Sequence, residues 1–125
     1  MRPKTLAEVA ALTAGGESFD RCLANFLDEF YGHPNSEAFA KAPELLAAAN
    51  DSGRVQDAYL AATAEELCRV YNLPLPAWTQ DENRKLHRPW FASPLAALRG
   101  VLLLESPAAF RSRNLFISQN ALARA

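Results

Sequence analysis

Glu29 and His33 stand four positions apart, the spacing at which a carboxylate and an imidazole share one helical face and could hold a metal together. No second Glu-x-x-His or His-x-x-x-His accompanies them, and Gly32-His33-Pro34 ends a helix at that point. His33 therefore reads as a helix-end imidazole facing the terminal carbonyls. Cys22 and Cys68 lie in apolar helical contexts without a neighbouring histidine, and read as buried small hydrophobes rather than nucleophiles or a disulfide. His87 beside Arg88 reads as a surface or packing residue. No P-loop, G-x-G-x-x-G, G-x-S-x-G, CxxC or HExxH string occurs. The chain offers no catalytic, cofactor or metal signature, and the reading leans away from an enzyme.

Charge is more informative. Residues 1–83 carry six cations against thirteen carboxylates, a net −7, whereas residues 84–125 carry seven cations against Glu105 alone, a net +6. An acidic half and a basic half can neutralise each other inside one fold, or each can face a different partner. The basic half also interleaves arginine with rings: His87, Arg88, Trp90, Phe91, Phe110, Arg111, Arg113 and Phe116. Nucleic-acid surfaces need that mixture, cations for phosphates and flat rings for bases. Arg99 is the lone charge in an apolar run. If that run is buried its guanidinium must snorkel or meet a carboxylate, and the acidic half offers Asp28, Glu29, Glu65 or Glu66.

The elements that must position these groups are mainly helical. Alanine is abundant, Val occurs only at 9, 55, 70 and 101, and Ile117 is the lone isoleucine, a composition that favours helix over sheet. Thr5-Leu6-Ala7-Glu8 fits a capping box, with Gly15-Gly16 ending the helix it opens. Ser18 caps the clearest helix, in which Phe19, Cys22, Leu23, Phe26, Leu27 and Phe30 form one stripe. Ser36 to Asn50 reads as helix interrupted at Pro43, resuming over Glu44–Ala49. A long helix runs from about Arg54 to Tyr71, with Leu60, Ala64, Leu67, Cys68 and Tyr71 on one face and Val55, Tyr59, Ala62 and Val70 widening it.

Asn72 to Trp78 holds two prolines and reads as an extended strap pinned by Trp78. Ser93-Pro94 and Ser106-Pro107 signal starts for helices at 95–104 and 108–113. Ser118 signals a final helix. Val101–Leu104 could instead form a short strand beside Leu115–Ile117, and helix is the favoured reading.

The string Pro89-Trp90-Phe91-Ala92-Ser93, followed by Leu98-Arg99, Glu105 to Arg111 and Arg113 to Ser118, with Pro76-Ala77-Trp78 upstream, resembles a group of small uncharacterised bacterial proteins. It also resembles segments found C-terminal to helix-turn-helix regulators, whose relatives are encoded beside toxin–antitoxin-like or nucleotidyltransferase genes. The resemblance covers about residues 54–125. The first 50 residues depart from the regulator-linked form: they are acidic and carry no basic recognition helix. The resemblance thus implies a partner-binding or regulatory accessory role.

The expectation is a single, mainly α domain over residues 1–125, built from five to seven short helices and at most one minor strand pair. It is expected to be cytoplasmic, without a membrane span or cofactor, and to bind a protein partner through an acidic face of Glu17, Asp20, Asp28 and Glu29. A second reading uses Arg84, Lys85, Arg88, Arg111 and Arg113 for nucleic acid. A third is a small enzyme or ligand-binding protein with a pocket lined by Trp78, His87, Trp90 and Arg99. Oligomeric state is not legible.

Overall fold

Thr5 opens the first helix as its cap. Its hydroxyl accepts the Glu8 N–H at 3.1 Å, and the Glu8 carboxylate accepts the Lys4 N–H at 3.0 Å, so two end donors find acceptors in one exchange. The computed structural model describes residues 2–92 and 96–124. Helix α1 spans Leu6–Ala14, Gly16 reverses the chain at φ 109°, and Ser18 caps α2, Phe19–Gly32. The apolar stripe expected on α2 is the buried one, from Cys22 to Phe30.

After the single-turn α3, Glu37–Ala40, the helix expected at Glu44–Ala49 does not form. Only a turn remains, with the Ala49 and Asn50 N–H groups donating to the Leu46 carbonyl. Six residues between Pro43 and the Asn50–Gly53 turn are too few to offset helix nucleation. Tertiary contacts hold the segment instead. The buried Asp57 carboxylate accepts the Leu46 and Ala47 N–H groups at 2.6 and 3.1 Å. Gly53 lies so close that a β-carbon would sit 1.9 Å from the Leu46 carbonyl oxygen.

Helix α4, Gly53–Tyr71, is the axis of the molecule and ends at left-handed Asn72, φ 55°. Leu60, Ala64, Leu67 and Cys68 face a core shared with α1 and α2, whereas Ala58 and Ala62 face a second core with Phe110, Leu115 and Ile117. Tyr59 touches both. Tyr71, expected on the main buried face, and Val70, expected to widen it, are 37% and 56% exposed. The strap expected after α4 is extended only over Leu73–Pro76, its last two residues Ala77 and Trp78 opening a 3-10 turn, and Trp78 pins it: the buried indole N–H donates to the Phe39 carbonyl at 2.8 Å. That turn, Ala77–Gln80, and a second 3-10 turn, Glu82–Arg84, were not anticipated by the sequence reading.

The basic half wraps α4. Strand β1, Trp90–Phe91, pairs in parallel with β2, Leu115–Phe116, in the register Trp90 to Leu115 and Phe91 to Phe116. Between them lie α5, Ala96–Glu105, and α6, Ala108–Arg111. The helix reading of Val101–Leu104 therefore holds, and the strand partner of Leu115 is Trp90 instead. The Ser93-Pro94 signal falls outside the described residues. Ser106 is not a cap: its hydroxyl accepts the Ile117 N–H at 2.7 Å and lies 2.6 Å from the Leu102 carbonyl oxygen, tying the end of α5 to β2. The helix expected after Ser118 is replaced by two turns, Ala121 N–H to Ser118 and Ala123 N–H to Asn120. That segment, too, is short for nucleation and is drawn onto α2. Among the described residues the fold is mainly α, with six α-helices and one two-stranded sheet.

Candidate functional site

Three arginines of the basic half reach carboxylates of the acidic half, and two of them do so in the interior. The Arg84 side chain is 3% exposed; its Nη1 lies 3.7 Å from Asp57 Oδ1, and its guanidinium sits 5.0 Å over the Trp78 ring and donates to the Pro43 carbonyl. Burial pushes the Asp57 carboxyl above its ordinary range, opposed by the Leu46 N–H, Arg84 and the Ala47 N–H, and lowers Arg84. Arg113, 1% exposed, donates to Glu65 at 2.8 Å and to the Thr79 and Ala109 carbonyls at 2.7 Å each. These contacts correct the sequence reading of Trp78, Arg84 and Arg113 as nucleic-acid or ligand contacts, because an interior side chain cannot meet a phosphate or a base. They are braces between the halves.

The rest of that set faces outward. Lys85 is 3.9 Å from Glu82, and His87, Arg88 and Arg111 are exposed. Arg99 meets no acidic-half carboxylate within 4 Å among the described residues; it is exposed, its Cζ 5.2 Å over the Phe91 ring. The expected tie from Arg99 fails because α5 is not a buried helix: Val101, Leu103 and Leu104 on it are 50%, 45% and 85% exposed. Of Trp78, His87, Trp90 and Arg99, Trp90 is the one that lines either of the two clefts described next.

The acidic face is divided. Glu17 and Asp20 are exposed at the start of α2, whereas Glu29 lies 3.5 Å from Arg2 and Asp28 receives Arg124 Nε and Nη2 at 2.9 and 3.3 Å. The hydrogen bond from Arg124 holds the Asp28 carboxyl below its usual range. Beside these carboxylates the structure has a feature the sequence reading missed. A cleft of about 670 Å³ runs between α2 and α4, floored by Phe19, Leu23, Leu27, Val55 and Tyr59 and closed on one side by Trp90 and Ile117. Asp20 stands on its rim. Burial, and next the Asp20 charge, pushes the Tyr59 hydroxyl up to about 12, so it stays a neutral donor. A second cleft of about 460 Å³ continues past Tyr31, Leu67 and Tyr71. The signal was present as Phe19, Leu23, Leu27 and Tyr31 at four-residue intervals, one row along α2.

Among the described residues no three His, Cys, Asp or Glu side chains gather where a metal could bind, and no helix is long and apolar enough to cross a membrane. Both cysteines are free and buried, and burial raises both thiols. No family model, curated protein or solved structure matches this chain.

Proposed function

We propose that this protein is a non-catalytic, intracellular interaction module, the antitoxin-like or regulatory member of a partnered pair, and that its partner docks on the α2–α4 face. The observation that carries the reading is the cleft itself: an apolar floor that includes Phe19 and Tyr59, Trp90 on one wall and the Asp20 carboxylate at its edge. Interfaces draw affinity from such desolvated aromatic pockets, and rim charge steers encounter and register. The titratable groups lining it are Asp20, Tyr59 and Arg124, a set suited to recognition and lacking an acid–base or nucleophile–base pair. The resemblance of the C-terminal segments supports the same role.

A photo-crosslinking residue at Ala24, on the cleft wall, tests it in extracts of the native host. The reading expects one discrete adduct, lost when Val55→Glu places a charge in the floor. An adduct pattern identical to that from exposed Ala11 on α1 contradicts it.

A second reading rests on Arg88, Arg99 and Arg111, which stay exposed while Arg84 and Arg113 turn inward. With Lys85 and His87 they could hold nucleic acid. That reading expects a labelled single-stranded oligonucleotide to bind with an affinity that falls steeply with salt, and to be lost in Arg88→Ala/Arg111→Ala.

A further inference from the structure

The two clefts flank the chain's own C-terminal segment, one on either side. Phe19, Leu23 and Leu27 of α2 with Val55 and Tyr59 of α4 line the first, and Tyr31 with Leu67, Val70 and Tyr71 line the second. Ile117, Ser118 and Ala121 line both, so residues 117–121 are the wall between them. From Phe19 to Tyr31 the α2 row covers about 18 Å at 1.5 Å per residue, room for three helical turns of an added segment.

Ile117 is buried and bonded to Ser106, but what holds the residues after it, 118–124, is slight. Leu122 is the half-buried apolar residue of segment 118–124 that packs on the core, and its carbonyl accepts the Tyr31 hydroxyl at 2.7 Å. Arg124 sits on Asp28 at the surface. The remaining hydrogen bonds of the segment, from Asn120, Ala121 and Ala123, are made within it. Gln119, Asn120, Ala121 and Ala123 are exposed.

We propose that Ser118–Arg124 is an autoinhibitory strap lying in the partner groove, displaced by a partner segment that repeats its chemistry: amphipathic, with an apolar side chain two positions before an arginine or lysine. This rests on the α2–α4 face being the docking surface. The strap supplies the recognition pattern directly, because Leu122 packs on the core from the side of the second cleft while Arg124 meets the Asp28 carboxylate of the acidic face. Asp20 and Glu17, exposed farther along α2, extend the same sign of charge toward a basic partner. A tethered segment competes at an effective concentration that free ligands must overcome, and apparent affinity falls by the fraction of time the groove is open.

The test uses a fluorescein-labelled synthetic peptide of residues 117–124, added to the full chain and to its Leu122→Ser/Arg124→Glu variant. The proposal expects the variant to bind the peptide at least tenfold more tightly than the wild type, and Asp28→Arg introduced into that variant to abolish binding. Arg124→Glu alone, which leaves the packing of Leu122 intact, should give an intermediate gain. Equal affinity for wild type and both variants overturns the proposal. So does absence of binding to every form, since the groove must recognise the strap's own sequence. If either occurs while the Ala24 crosslink still captures one discrete partner, the strap inference falls and the interaction reading stands.

Discussion

Arg84 and Arg124 make the same kind of link, a guanidinium from the basic half on a carboxylate from the acidic half, in two different media. Arg84 is enclosed with Asp57, Trp78 and the Pro43 carbonyl, whereas Arg124 and Asp28 share a pair whose side chains are 40% and 30% exposed. An enclosed charge that loses its partner cannot recover water, so the inner link can be broken only by damaging the fold. An exposed pair exchanges its contact for solvent at little net cost. One end of the basic half is therefore fastened and the other is releasable. Arg113, with Glu65 partly open to solvent, lies between them.

Breaking the comparison at its inner end should have the largest effect. Asp57→Ala strands a buried guanidinium and leaves the Leu46 and Ala47 N–H groups unpaired, and should destabilise by about 3–5 kcal/mol in urea or guanidinium titrations. Replacing both partners, Asp57→Leu with Arg84→Met, should cost distinctly less than the sum of the single changes, because no charge is left uncompensated. Arg113→Met removes donors from the Thr79 and Ala109 carbonyls, and should cost about 1–3 kcal/mol by the same measurement. Trp78→Phe loses the indole N–H bond to Phe39 and part of the cation–π contact with Arg84, a change of about 1–2 kcal/mol.

At the outer end Arg124→Glu should leave the denaturation midpoint unchanged within replicate scatter, yet accelerate amide exchange across 118–124. Acid sharpens the same contrast. The Asp28 carboxyl titrates lower in the folded state than in the unfolded one, so its contact contributes above the ordinary Asp range, near pH 3.9, and is lost as pH falls through the depressed value. Asp57 has the opposite sign: its folded value is raised, so its contribution is present below the ordinary value and is lost as pH rises through the raised one. The amide protection factors of Ala121 and Ala123, whose N–H groups are bonded within the segment, should therefore fall in acid while those of α4 do not.

Local signals carried much of the fold. Thr5, Ser18 and the apolar row of α2 each act within one or two turns, and Pro74 and Pro76 keep α4 from continuing without reference to any distant residue. The segregation of charge also implied that arginines would fold back on carboxylates, and three do. Which arginines was not legible. Arg99 looked the strongest candidate because its neighbours are apolar, but that inference assumed a buried α5, and burial is a property of the whole packing arrangement. Arg84 and Arg113, inconspicuous among polar neighbours, are the ones enclosed, because the 3-10 turn Glu82–Arg84 carries the first inward and Asn114, at φ 64°, closes the turn that sets the second. The clefts escaped notice for a related reason: a furrow is made by what fails to pack between two helices, and Leu23 or Tyr59 reads the same whether covered or open.

The account stands most directly on amide hydrogen exchange of the wild-type chain, followed segment by segment with and without sub-denaturing urea. It predicts that residues 118–124 exchange through a local opening indifferent to urea, while α4 and the 3-10 turn bearing Arg84 exchange only on global unfolding. Uniform protection from Gly53 to Arg124, with one common urea dependence, would contradict it.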